Sequence, residues 1–174
     1  DNTQPHSDPF FHTLSFDEIS NYISTGNGNN CKVATNTGNT LPVITAMNNN
    51  GASIPINTPF TLTGAATDAD NDPLTYCWEQ DNDGTGQTGN NSRAYITKPT
   101  GPNWLTFPAT VSGTRLMPRL STILAGLNVT PVLPGGDPIA DIEALSSVSR
   151  TLNFRLTVRD NATYVADPPA SRKV

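Results

Sequence analysis

The chain has 174 residues, enough for one sizeable domain or one domain with an appendage, and its 35% hydrophobic content is sufficient for a core. Only 14% of the residues are charged and the formal net charge is −5, so the sequence lacks the basic stripe that a nucleic-acid partner requires. No apolar run reaches the ~18 residues of a membrane helix, and membrane insertion is therefore not expected.

The first predicted element is a short helix over residues 15–24. Ser15 is its expected N-cap, Glu18 completes a capping box three residues later, and Gly26 follows its end. The apolar residues recur at helical spacing and form one face: Phe16, Ile19, Tyr22 and Ile23. Because a helix this short cannot cover such a face itself, we expect the face to dock onto the rest of the chain or onto a neighbouring molecule.

A segment rich in Gly, Asn and Thr follows the helix and predicts a linker, after which strands begin near Leu41. Apolar and polar residues alternate in FTLTGAA (60–66), LTYCWE (74–79) and RTLNFRLTVRDN (150–161), as in half-buried strands. The connections are turn-rich and punctuated by proline, which favours an antiparallel β-sandwich. We predict RLMPRLSTILAGLN (115–128) to be a loop with a short helix.

The inward parity of these strands predicts the core of the sandwich. Its expected members are Phe60, Leu62, Leu74, Tyr76, Trp78, Leu152, Phe154, Leu156 and Val158. Cys77 alternates with Trp78 and is therefore expected on the face that points away from this core. Trp104 lies in a connection, where it could stack on a sugar or plug one end of the sandwich.

Six carboxylates and no lysine or arginine occur between residues 68 and 84. Such a run is self-repelling unless water or a cation neutralises it. The Asp-x-Asp-x-Asp turn resembles the calcium-binding turns of cadherin-like modules, and this resemblance implies that Asp68, Asp70 and Asp72, together with Asp160 after the last strand, could supply oxygen ligands to calcium at one pole of the sandwich. The alternative is that these aspartates only cap turns through backbone amides.

Two sets of motifs carry a resemblance to known families. FTLTGAATDADNDPLTYCWEQ and the later FRLTVRDN resemble immunoglobulin-like modules of the PKD and cadherin-like type over residues 41–161. DPFFHTLSFDEISNYI with a following cysteine, then TDADNDPLTYCWEQ, TRLMPRL and SRTLNFRLTVRDN, are similar to the segment downstream of the catalytic domain in secreted bacterial reprolysin-like zinc metallopeptidases.

The zinc motif of those peptidases, His-Glu-x-x-His, is missing from this sequence. The two histidines are His6 and His12, and neither precedes a glutamate, whereas a catalytic zinc site needs three protein ligands and a water. The resemblance therefore implies a fragment that is not itself an enzyme and that requires no cofactor apart from the calcium considered above.

The resemblance also implies a division of the chain. Residues 1–30 would be the helical tail of a missing upstream catalytic domain plus a linker, and residues 31–174 the immunoglobulin-like sandwich. The expected function is that of a secreted or cell-surface accessory module whose partner is the catalytic domain. The alternative is a stand-alone adhesion or carbohydrate-binding module with a protein or glycan ligand.

Two cysteines, Cys31 and Cys77, are present. One disulfide between them would fit an exported protein, because the linker cysteine could reach the outward-facing strand cysteine. A cysteine in the missing catalytic region is the rival partner, and two free thiols are the remaining alternative.

Overall fold

The computed structural model describes residues 11–30, 36–132 and 143–162, and these residues form antiparallel sheets with few helices, as the sequence predicts. The strands are β1 (Val43–Met47), β2 (Phe60–Thr67), β3 (Thr75–Gln80), β4 (Thr114–Met117), β5 (Val129–Thr130), β6 (Glu143–Ala144) and β7 (Phe154–Arg159). The helices are α1 (Thr13–Ser24) and α2 (Leu120–Leu124), and short 3-10 turns occupy Asn27–Asn30 and Gly89–Asn91. None of the helices among these residues has the length and apolarity needed to cross a membrane.

The strands pair in three antiparallel sheets with the orders β1-β2-β4, β3-β7 and β5-β6. In the pair formed by β3 and β7, Trp78 lies opposite Leu156 and Thr75 lies opposite Arg159. β2 pairs with β4 so that Leu62 lies opposite Arg115. A shift of register between Ile44 and Ala46 places a bulge in β1 at the edge of its sheet.

One hydrophobic core joins the first two sheets. Its buried members are Leu62, Trp78, Trp104, Met117, Leu145 and Leu156, and the partly buried side chains packed against them are Phe60, Tyr76, Phe154 and Val158. Seven of the nine predicted core residues belong to this set, so the alternation correctly predicted the inward face. The other two, Leu74 and Leu152, are half-buried outside it.

The two sheets approach each other closely at a pair of glycines. The backbone N–H of Gly64 donates to the carbonyl oxygen of Gly113 over 2.9 Å, and the indole Nε1 of Trp78 donates to the same oxygen over 2.9 Å. A Cβ on Gly113 would overlap the carbonyl oxygen of Gly64, and a Cβ on Gly64 would overlap the side chain of Leu156. The contact between Gly64 and Gly113 and the packing of Leu156 over Gly64 therefore require that both positions lack a side chain.

α1 differs from its prediction at both its start and its apolar face. It begins at Thr13 with His12 as N-cap, and no side chain of the helix itself caps it, so the expected capping box at Ser15 does not form. Ile19, Tyr22 and Ile23 remain 41–59% exposed. Only Phe16 of this face packs against the rest of the described chain: it is half-buried, and the Arg159 guanidinium lies 5.1 Å from its ring centroid. Docking of the other three side chains onto another molecule stays a prediction.

The segment 115–128 contains the predicted short helix, α2, but it also contains most of a strand that the sequence analysis missed. β4 pairs along β2, with Leu116 opposite Thr61 and Met117 opposite Phe60. The strand is only four residues long and ends before Pro118. So short a run shows too little alternation to be distinguished from a helical turn by periodicity.

Candidate functional site

The acidic turn between β2 and β3 is built on Asp68. Its Oδ1 accepts hydrogen bonds from the backbone N–H of Asp70 at 2.9 Å and of Asp72 at 3.1 Å. Asn71 takes the left-handed conformation, with φ of 61°, which asparagine tolerates better than most residues. The turn-capping alternative is thus correct for one oxygen of Asp68, and the other carboxylate oxygens of the turn are left for other contacts.

The three carboxylates of this turn converge. Asp68, Asp70 and Asp72 each offer an oxygen, and these oxygens lie within 4.8 Å of one another. Asp68 Oδ2 is shielded from solvent and has no hydrogen-bond partner among the described residues. The pKa of Asp72 is raised above its ordinary value by desolvation first, and then by the negative charges of Asp68, Asp70 and Asp160.

The fourth predicted ligand, Asp160, lies at the same pole because β7 runs antiparallel to β3 and ends beside its start. Asp160 Oδ2 accepts a hydrogen bond from Asn39 Nδ2, and Asp70 Oδ2 accepts one from the backbone N–H of Thr40, each at 2.6 Å. Residues 39 and 40 therefore hold two of the acids in place. A set of carboxylate oxygens of this kind is the donor set that calcium prefers.

The carboxylates of the second acidic turn, residues 81–84, already have hydrogen-bond and ion-pair partners within the chain. Asp83 Oδ1 accepts hydrogen bonds from the side chain and the backbone N–H of Thr85, and these two bonds lower the pKa of Asp83. Asp81 pairs with Arg155 at 3.1 Å. The sequence DNDG at residues 81–84 suits either a cation site or a tight turn, and these contacts favour the tight turn.

Glu79 shows that the outward face of β3 is covered. The side chain is 3% exposed, and its carboxylate lies 2.6 Å from His12 Nδ1 and accepts a hydrogen bond from the backbone N–H of Thr13 at 3.0 Å. The carboxylate thus lies at the N-terminus of α1, where a negative charge also stabilises the helix dipole. A contact between distant residues replaces the local capping box that the sequence predicts.

Cys77 lies on the same covered face. It is a free cysteine, 4% exposed, and its thiol donates to the carbonyl oxygen of Phe107 at 3.3 Å. Burial, and then the charge of Glu79, raises the pKa of this thiol. The expectation that Cys77 is accessible from outside is therefore wrong, because the chain around Phe107 covers it. Cys31 lies outside the described residues, and its pairing stays a prediction.

A buried ionic network around Glu143 was missed by sequence reasoning. Glu143 has no exposed surface; Oε1 accepts from Arg115 Nη2 at 3.0 Å, and Oε2 accepts from the backbone N–H of Arg119 at 3.0 Å and from Thr130 Oγ1 at 2.9 Å. The guanidinium carbons of Arg115 and Arg119 lie 4.5 and 4.7 Å from the centroid of the Phe107 ring. The one available signal was a lone glutamate between apolar neighbours in sequence.

Both tryptophans of the chain are buried, Trp78 at 6% and Trp104 at 5% exposure. Trp104 packs edge-on against Phe60, with the ring centroids 5.6 Å apart. Of the two roles considered for Trp104, the exposed sugar platform is therefore wrong, because the ring belongs to the buried core.

No protein-family model, curated protein or solved structure matches this chain. The resemblance to immunoglobulin-like modules and to reprolysin-like metallopeptidases consequently stays a prediction.

Proposed function

We propose that the chain is a non-catalytic accessory module of a secreted or cell-surface reprolysin-like zinc metallopeptidase, folded as an immunoglobulin-like β-sandwich and stabilised by calcium at its acidic pole. The proposal of a calcium site rests on the carboxylates of Asp68, Asp70 and Asp72, which each offer an oxygen within 4.8 Å of the others. Asp160 lies near enough to raise the pKa of Asp72. A cation would remove the mutual repulsion of these four groups.

The exposed face of α1 supports the accessory role. Ile19, Tyr22 and Ile23 of this face are 41–59% exposed, while the start of the helix is fixed to Glu79. Contiguous exposed apolar side chains of this kind mark interaction sites. A neighbouring catalytic domain is the partner that the motif resemblance suggests for this face.

The alternative of a stand-alone carbohydrate-binding module has less support. Sugar recognition commonly uses an exposed aromatic ring; both tryptophans are buried, and the exposed ring of Tyr22 belongs to the apolar face of α1. The sequence encoded immediately before Asp1 separates the two functions. A His-Glu-x-x-His motif there supports the accessory module, whereas a signal peptide or another β-module directly before Asp1 overturns it.

Calcium binding is tested by thermal unfolding of the full chain in chelator, then in millimolar calcium, then in millimolar magnesium. At a hundredfold excess over the dissociation constant, linkage predicts ~2.7 kcal/mol of added stability, which corresponds to a rise in Tm of roughly 5–10 °C for a chain of this size. Magnesium should do less, because it demands octahedral geometry and sheds water reluctantly.

Matched variants locate the effect. Asp70→Asn and Asp160→Asn should abolish the calcium-dependent rise in Tm. Asp83→Asn is the control, because it makes the same change of charge at a carboxylate that is already hydrogen-bonded to Thr85, and it should retain the rise. An unchanged Tm in calcium for the unmodified chain would mean that the acids are only turn residues.

A further inference from the structure

A cleft of about 100 Å3 lies between the loop that joins β1 to β2 and the segment that leads into β7. Most of its wall is apolar, formed by Ile54, Ile56, Phe60, Leu145, Val148 and Leu152. None of the described residues that line it is acidic. Trp104, Ser146 and Arg150 supply its polar side chains together with Asn57, Thr58 and Ser149.

Three polar atoms of these lining residues have no hydrogen-bond partner among the described residues: Trp104 Nε1, Ser146 Oγ and Arg150 Nε. Each is also shielded from solvent. Leaving such a group unsatisfied costs about 1–3 kcal/mol. The indole N–H and the guanidinium N–H can only donate, so the partner that both lack is a hydrogen-bond acceptor.

The positive charge of Arg150 at this wall also lacks a carboxylate partner among the described residues. Arg150 is held by backbone carbonyls, with Nη1 donating to Lys98 O at 3.0 Å and Nη2 to Gly101 O. Lys98 is fully buried, and its ammonium donates to the carbonyl oxygens of Ser92 and Arg93. The salt bridges among the described residues join neither cation to a carboxylate. An anion at the cleft would therefore be attracted by Arg150, which lines it, without competition from a carboxylate paired to that cation among the described residues.

We propose that this cleft binds a small organic carboxylate that carries a short branched aliphatic group. The carboxylate accepts from Trp104 Nε1 and Arg150 Nε, and the aliphatic group packs against Leu152 and Ile56. Because the donors are shielded, the ligand enters by displacing the side chains of residues 54–58. Ile54 and Ile56 are 46% and 55% exposed, and this segment meets the opposite wall through the hydrogen bond from Asn57 N to Ser146 O.

Such a carboxylate exists in free branched acids and at the C-terminal residue of a peptide, and both present the same chemistry to the cleft. The test uses NMR of the two tryptophan indole N–H resonances in the full chain, titrated into the millimolar range with 4-methylvalerate or N-acetyl-leucine. The Trp104 resonance, identified by Trp104→Phe, should shift saturably on gaining an acceptor. The Trp78 resonance should stay fixed, because that indole already donates to Gly113.

Each titration outcome is decisive. Tighter binding of 4-methylvalerate indicates a free acid as the natural source, and tighter binding of N-acetyl-leucine indicates a peptide terminus. N-acetyl-leucinamide, which lacks the carboxylate, should not bind. Equal binding of the amide, or no saturable shift with either acid, overturns the proposal.

A charge placed at the cleft mouth gives a second test that leaves the core intact. Ile56→Asp should weaken binding of the acid at least about tenfold through repulsion, while Val111→Asp should leave it unchanged. Val111 is 84% exposed and does not line the cleft. Equal weakening by both variants would assign the effect to net charge and overturn the site.

Discussion

Burial of Lys98 predicts that the stability of this protein rises with pH in the alkaline range. The ammonium has no exposed surface, and burial followed by the charge of Arg150 lowers its pKa from 10.5 to about 8. Below pH 8 the side chain is charged in both the folded and the unfolded chain, and folding bears the full penalty for burying that charge. As the pH rises from 8 to 10.5, the folded chain loses this proton first, and the penalty disappears.

The magnitude follows from the change in pKa. Between pH 7.5 and 10 the lowering contributes about 2–3 kcal/mol of added unfolding free energy. The assay is urea unfolding at several pH values for the unmodified chain and for Lys98→Met, which keeps the length and removes the titrating group. Because tyrosine and cysteine titrate in the same range, the quantity of interest is the difference between the two proteins.

The unmodified chain should gain stability relative to Lys98→Met as the pH rises. A constant difference across this range would mean that Lys98 keeps an ordinary pKa in the folded protein. The carbonyl oxygens of Ser92 and Arg93 and the ring of Tyr95 would then be sufficient to replace water around the ammonium.

Three further predictions concern single side chains. Glu143→Gln should lower the unfolding free energy by roughly 3–5 kcal/mol in urea titrations, because its buried arginine partner loses its counter-ion. Glu79→Gln should speed hydrogen exchange in α1 while the cooperative unfolding of the sheets persists, since this carboxylate fixes the start of the helix. Gly113→Ala should cost more than about 2 kcal/mol by overlap with the backbone of β2, whereas the control Gly84→Ala, with ordinary contacts, should stay within about 0.5 kcal/mol.

The inward face of the longer strands could be predicted from sequence because alternation depends only on the pleat of each strand. What covers the opposite face could not. Cys77 and Glu79 share a parity that correctly separates them from Trp78, yet both are buried, since residues distant in sequence cover them. Alternation distinguishes two faces and does not state which of them meets solvent.

The acidic pole could be predicted because its geometry follows from a local turn and from one strand pairing. Asp68, Asp70 and Asp72 are neighbours in sequence, and antiparallel pairing of β3 with β7 brings Asp160 to them. The Glu143 network and the cleft could not be predicted in this way. The Glu143 network joins strands of two different sheets, β4 to the short pair β5 and β6, and the cleft is lined mostly by loop residues, so alternation within one strand reports neither of them.

The edge position of β1 has a consequence for how the protein opens. All five of its residues are exposed, and among the described residues it pairs only with β2, across a bulge. Its detachment would strip little apolar surface from the core, whereas separation of β3 from β7 would expose Trp78 and Leu156 together. We therefore expect the first opening of the native state to detach β1, so that β2 presents a bare hydrogen-bonding edge while the central pair stays closed.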